Sequence, residues 1–139
     1  MHSNKKIAVR YYSKTGNTKK LAEAIAEIIG IKAESVDVPL DQEVDILFLG
    51  SSVYAAGVNT KVKLFIHSLD SRVKNVVNFS TAAIITSTYP QIKKLLDEKG
   101  ISLDEREFHC RGAFTFMHRG KPDESDIQNV QAFAKTFLL

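Results

Sequence analysis

Six residues, Ser13-Lys14-Thr15-Gly16-Asn17-Thr18, constrain this chain more than any other stretch, because they join two segments of different period. Before them, Ile7-Ala8-Val9 and then Tyr11-Tyr12 form a short apolar run. After them, Leu21, Ile25, Ile28 and Ile29 recur at steps of four, three and one, laying one apolar stripe along a helix. The order is therefore strand, hydroxyl-rich loop, helix. A helix start leaves several backbone N–H groups without partners and carries partial positive charge, which suits a bound phosphate. Gly16 lets the backbone turn tightly and come close to a ligand. Ser13, Thr15, Asn17 and Thr18 add up to four side-chain donors without adding charge. A lone Ser or Thr at such a junction reads as a helix cap. Four donors around one glycine read as a phosphate site.

The rest of the chain repeats the strand-then-helix order. Gly30 closes the first helix as a C-cap. Residues 33–38 alternate apolar and polar, with Val36 and Val38 on one side, and Pro39 ends them. This predicts a half-exposed strand at a sheet edge. Residues 40–44 leave room only for a turn before Asp45-Ile46-Leu47-Phe48-Leu49-Gly50, a continuous apolar strand covered on both faces. Residues 59–69 read as a helix with Val62, Phe65, Ile66 and Leu69 as its stripe. Residues 81–86, centred on Ile84 and Ile85, read as another buried strand, and residues 91–99 as a short helix closed by Gly100. Residues 107–116 alternate, with Phe108, Cys110, Gly112, Phe114 and Phe116 on one face, as at the opposite edge. Pro122 and Asp123 begin the last helix, whose first turn carries Asp123, Glu124 and Asp126, where the dipole favours negative charge. Ile127, Val130, Ala134, Phe137 and Leu138 make its buried face.

Strands alternating with helices predict an α/β three-layer sandwich around a parallel sheet. The two alternating strands, second and fifth, belong at the edges, and the other three inside. That pattern predicts five parallel strands in order 2-1-3-4-5. In such a sheet, ligands bind beyond the carboxyl ends of the strands where the order reverses, here between strands one and three. Ser13 to Thr18 then lie beside the loop that follows Gly50.

The chain has 139 residues, a single-domain length, so one domain over residues 1–139 is expected. Its one cysteine, Cys110, excludes an internal disulfide and fits a reducing, cytoplasmic setting. No apolar run approaches the roughly 20 residues of a membrane span, and no signal peptide is read at the start. The net charge is +3, with a pI near 9.0. The basic residues are interleaved with acids, which argues against a nucleic-acid groove.

A Walker A loop needs a second glycine followed by lysine, and the dinucleotide fingerprint needs three glycines; neither is present. The loop instead resembles the FMN phosphate loop of the flavodoxin family, [ST]-x-T-G-x-T, at every defined position. Ala22 and Ile25 follow where that family favours alanine and an aliphatic residue. Arg10 departs from it, standing where the family has an apolar residue. The resemblance implies a flavodoxin-like fold that holds FMN non-covalently. It places Tyr54, in the loop Ser51-Ser52-Val53-Tyr54-Ala55-Ala56-Gly57, against one face of the flavin ring. An aromatic partner there gains roughly 1 kcal/mol beyond burial. Ala55 stands where many flavodoxins have glycine, with Gly57 two residues later. Residues 50–57 look closer to FMN reductases and protoporphyrinogen-oxidising flavoproteins of this fold. The third loop, Thr86-Ser87-Thr88-Tyr89-Pro90, matches the family's pyrimidine-edge loop by location, and Tyr89 either contacts the flavin or caps the sheet.

Cys110 in His109-Cys110-Arg111-Gly112 lacks the arginine six positions on that a cysteine phosphatase loop needs; Phe116 is there. Its register points it inward as a small hydrophobe. His118 and Arg119 lie in a polar connection that is either solvated turn or the border of a substrate entrance. No metal site and no general acid or base is expected. Gly50 and Ser51 end the third strand without the acid that a response-regulator receiver would need. Three roles follow from the resemblance. One is an electron carrier between proteins, for which typical family members are acidic while this chain is basic. The others are an FMN enzyme reducing or oxidising a small acceptor such as a quinone or porphyrinogen, and a domain without cofactor that only binds a partner.

Overall fold

The structure is a computed structural model, and it describes residues 5–54, 57–82, 87–111 and 120–138. Strand β1 (Ile7–Tyr11) leads into helix α1 (Asn17–Ile29), then β2 (Ala33–Ser35) and β3 (Ile46–Tyr54). A two-residue strand β4 (Gly57–Val58) and α2 (Thr60–Ser68) follow. The chain continues with β5 (Val76–Ala82), α3 (Tyr89–Lys99), β6 (Leu103–Arg111) and α4 (Glu124–Lys135). The sheet order is β2-β1-β3-β5-β6, all parallel, with β4 paired antiparallel to β3. Counting the five parallel strands alone, this is the expected order 2-1-3-4-5.

Alternation along β3 divides the interior in two. Leu47 and Leu49 pack with Val62, Phe65 and Ile66 of α2 and with Ile92 and Leu96 of α3. Phe48, one residue out of phase, packs with Leu21 and Ile25 of α1 and with Val130, Ala134 and Phe137. Each of these large side chains contributes about 1.5–3 kcal/mol by leaving water. Phe137 sets the seat of α4: its ring meets Phe48 edge-on at 5.4 Å and Phe133 at 5.2 Å. The Arg106 guanidinium lies 3.9 Å from the centre of the same ring.

Four boundaries differ from those read in the sequence. The second strand stops at Ser35, because Ser35 Oγ accepts from the Asp37 amide and turns the chain. The third strand does not end at Gly50 but runs to Tyr54, so residues 51–54 belong to the sheet rather than a loop. The fourth parallel strand starts at Val76, five residues before the expected start at Thr81, and closes at Ala82. The apolar pair Ile84-Ile85 drew the prediction downstream, although Asn78 and Ser80 tolerate burial by bonding Thr88, and Thr81 by bonding Thr18. Residues 83–86 lie outside the described residues. The last strand starts at Leu103, four residues before Glu107, and the expected remainder at 112–116 also lies outside them.

Between β2 and β3 no helix forms, as the short spacing requires. Arg10, on the β1 face left bare by that omission, is 8% exposed. Its Nε donates to the Val38 carbonyl at 2.9 Å, and one Nη donates to the Pro39 carbonyl at 3.3 Å. Glu34 pairs with it at 3.3 Å. Burial lowers its pKa, and the charges of Glu34 and Asp41 counter that. The arginine thus ties down the connection that stands in for a crossover helix. Among the described residues, no helix is long and apolar enough to cross a membrane.

Candidate functional site

The sheet order reverses between β1 and β3, which pair from Ile7 with Ile46 to Tyr11 with Gly50. Loop 12–16 and the crest of β3 therefore stand side by side. The Tyr12 amide donates to the Gly50 carbonyl at 3.1 Å, holding the loop's first residue to the strand. Gly16 takes the N-cap position of α1 with φ 93 and ψ −5. A side chain there would be strained by about 1–2 kcal/mol in that left-handed region, though open space surrounds it. The Gly16 amide donates to Ser13 Oγ at 3.0 Å, which closes the loop on itself. No side chain caps α1 and its first turn holds no acid. The positive end of its dipole therefore lies at the switch point, where it favours an anion.

Gly50 decides how near α1 can come. A Cβ built there would lie 2.3 Å from the Phe79 ring and 3.0 Å from Thr18 Cγ2. The helix mouth sits directly on the backbone of β3 because this residue has no side chain.

The candidate residues separate into an exposed set and a buried set. Lys14 and Thr15 are exposed, Ser13 and Gly16 partly so, and Asn17 is buried. Thr18 faces the sheet. It is 1% exposed, shares a 2.9 Å hydrogen bond with Thr81 Oγ1, and its hydroxyl lies 3.3 Å from the Ser51 carbonyl. Its hydroxyl is used to lock α1 to β3 and β5, which differs from its expected place among the phosphate donors. Ser51 donates to Thr88 Oγ1 at 3.0 Å, and Asn78 Nδ2 donates to that same oxygen at 3.0 Å. The Thr88 amide donates to Ser80 Oγ at 3.3 Å. Ser87 Oγ donates to Glu107 at 2.7 Å and accepts from the Tyr89 amide at 3.0 Å. Tyr89 opens α3 and is partly buried. Each neutral bond of this kind contributes about 1 kcal/mol net, whereas an unmet buried hydroxyl costs about 1–3 kcal/mol.

One such unmet hydroxyl exists. Ser52, 5% exposed beside Thr81 in the β3–β5 register, has a buried Oγ with no partner among the described residues. Val53 and Tyr54 close β3, pairing with Val58 and Gly57 of β4. Ala55 and Ala56 lie outside the described residues, as do Thr86, His118 and Arg119.

Asn78, Ser80 and Thr81 were missed by the sequence reading. They join Thr18, Ser51 and Thr88 in a layer of buried neutral polar groups beneath the crest of the sheet. The available signal was Asn-x-Ser-Thr inside an apolar run, which only a strand bordering polar neighbours accommodates. Cys110 is partly buried against the α1 and α4 side. Burial pushes its thiol up to about 12, with Asp126 adding to the effect.

Would FMN suit these residues? A phosphate matches an uncapped helix mouth lined by Ser13, Lys14, Thr15 and a glycine at positive φ. The unmet Ser52 hydroxyl at the adjoining crest marks a place where another polar partner is wanted. The donor set is neutral apart from Lys14, so that lysine and the helix dipole supply the positive field that favours a phosphate.

Residues 8–115 match the family described as flavodoxin domain. Among solved structures, a flavodoxin from the domain Archaea is 22% identical with TM-score 0.75, covering 93% of each chain. A flavoprotein in complex with FMN from Lactobacillus acidophilus is 20% identical with TM-score 0.58, over 77% of this chain and 93% of its own. Rubredoxin oxygen:oxidoreductase from Desulfovibrio gigas is 14% identical with TM-score 0.73; the match takes 94% of this chain but 34% of that one. A comparison with curated proteins gives no match.

Proposed function

This chain belongs to the flavodoxin family, and from that premise we propose that it binds FMN non-covalently and carries electrons to or from a redox partner. The reading is for a single domain over residues 1–139 working in the cytoplasm. FMN supplies the redox chemistry when bound; the protein binds and orients it. Ser13, Lys14, Thr15, Gly16, Asn17 and Thr18 form the phosphate end, with Thr18 bracing α1 from behind. Residues 51–57, with Tyr54 against the ring, and Ser87, Thr88 and Tyr89 form the ring end. The buried hydroxyl layer fixes the relative heights of β3, β5 and α3, on which both ends depend.

The observation that carries this reading is the uncapped start of α1 with Gly16 at φ 93, set against Gly50 where the sheet order reverses. The test is the visible spectrum of the purified protein, before and after soaking with FMN and desalting. Retained yellow absorbance supports the reading, and its loss in Gly16→Ala places the phosphate at α1. Protein that stays colourless after soaking favours a binding module instead. A second reading, an enzyme acting on a quinone or porphyrinogen, is favoured by Ala55 in place of the family's glycine. Reductive titration separates the two: electrons taken up one at a time indicate a carrier, and direct two-electron reduction with steady quinone turnover indicates the enzyme.

A further inference from the structure

We propose that the rim around the switch point between β1 and β3 is a docking face for the carboxylate-rich surface of a redox protein. In one respect this rests on the FMN reading: the flavin would sit within this rim.

Residues 7–22, 46–69 and 71–96 contain no Asp or Glu. Those stretches include the carboxyl ends of β1, β3 and β5 and the starts of α1, α2 and α3. Within them Lys14, Lys19 and Lys20 are exposed at the mouth of α1, and Lys61 and Lys63 at the mouth of α2. Since β1 and β3 are neighbours and α1 and α2 pack on opposite faces, these lysines flank the switch point from both sides. Among the described residues, Lys14, Lys19, Lys20 and Lys63 have no acidic partner. Lys61 reaches Asp37 at 3.4 Å, with both groups well exposed, and such a pair neutralises little. At the other end of the sheet three cations are paired with acids: Lys74 with Asp45, Arg72 with Asp70, and Arg106 with Asp104.

Stability does not explain the arrangement. A lysine in the first turn opposes the helix dipole, and α1, α2 and α3 have no acid in the first turn. A local excess of one sign, by contrast, accelerates encounter with a partner of the other sign. Leu64, next to Lys63, is 63% exposed, which supplies an apolar contact among the charges. Among the residues whose burial is described, Leu64 and Val38 are the exposed large apolar side chains, less than an amphipathic membrane-binding face presents.

An acidic ferredoxin and basic cytochrome c serve as probes. In stopped flow, reduced ferredoxin should reduce the FMN-loaded protein at a rate that falls about 10-fold or more between roughly 20 and 300 mM salt. Oxidation of the reduced protein by cytochrome c should instead speed up with salt or stay level. The double variant Lys20→Glu with Lys63→Glu should lose most of the ferredoxin salt dependence while melting no lower. Equal salt response for both probes, an unchanged double variant, or tighter binding to anionic vesicles or DNA than to ferredoxin would overturn the proposal. FMN retention is read separately from the spectrum. If none is retained, the cofactor reading falls alone, and anisotropy of labelled ferredoxin against the colourless protein decides docking by the same salt and variant criteria.

Discussion

At the start of α4, Asp123 Oδ1 accepts from the Asp126 amide at 3.0 Å, and Asp126 Oδ2 accepts from the Asp123 amide at 2.9 Å. Lys121 Nζ bridges both carboxylates at 2.8 and 3.3 Å. At the start of α1, Gly16 holds the N-cap position without a side-chain bond, and the first charges met are Lys19 and Lys20. One helix closes its start with its own carboxylates; the other starts at a glycine with no acid in its first turn. The same backbone problem is met with acids at α4 and without them at the sheet's switch point. The contrast argues for a ligand at α1 more strongly than the loop's hydroxyl count does, because Thr18 turned out to serve the interior.

The largest effect should come from closing the gap on which α1 rests. Gly50→Ala puts a methyl 2.3 Å from Phe79, and overpacking of this kind costs about 1–3 kcal/mol. Thermal unfolding should show a drop of several degrees, and FMN retention should fall with it. An unchanged melting temperature would mean that the Phe79 ring does not fill the space over Gly50 as described. Gly16→Ala should follow, at about 1–2 kcal/mol from the left-handed backbone alone, since its surroundings are open. At α4 the corresponding loss is the capping box: Asp126→Ala should cost about 1 kcal/mol in urea unfolding and leave FMN retention untouched. If it also bleached the protein, the two helix starts would not be independent.

This division of labour was partly visible beforehand. The strand order followed from sequence pattern: β3 is apolar on successive residues, whereas residues 33–38 alternate although β2 itself stops at Ser35. The α4 cap was legible because Asp123 and Asp126 act through neighbours in sequence. What could not be read was the polar layer. Thr18 lies 63 residues from Thr81, and Ser51 lies 37 from Thr88, so nothing local showed that these hydroxyls would be consumed in pairs. Their burial also explains why β3 runs past Gly50 and β5 starts before Thr81: a pattern of apolar centres passes over strand segments that carry buried polar side chains. The place of Arg10 was equally hidden, since besides Glu34 its partners are the carbonyls of Val38 and Pro39, 28 and 29 residues away.

A smaller change, of opposite sign, tests the lysines. Lys20→Glu replaces repulsion from the α1 dipole with attraction, so it should stabilise the protein by about 0.3–1 kcal/mol at low salt. The gain should shrink as salt is added. Destabilisation at low salt would show that Lys20 has a structural role the exposed geometry does not reveal.

The most local effect is one of pH. Asp123 is held down at about 2, first by Lys121 and then by the Asp126 amide, while an unfolded aspartate titrates near 3.9. For a carboxylate depressed on folding, the stabilisation is complete above the unfolded value and is lost as pH falls through the folded one. Between about pH 4 and pH 2 the α4 cap should therefore weaken progressively, whereas α1 has no acidic cap to lose. Hydrogen exchange across that interval, corrected for the intrinsic acid rate, should show protection falling first in residues 124–128 and being kept in residues 18–22. Simultaneous loss at both helices would mean that acid acts on the global equilibrium, through Asp104, which its bond to Arg106 also holds at about 2. The Asp104→Asn variant removes the share of Asp104 from such a global effect, leaving Asp45 and Asp70, which are also held below the usual carboxylate range, and the α4 cap to titrate.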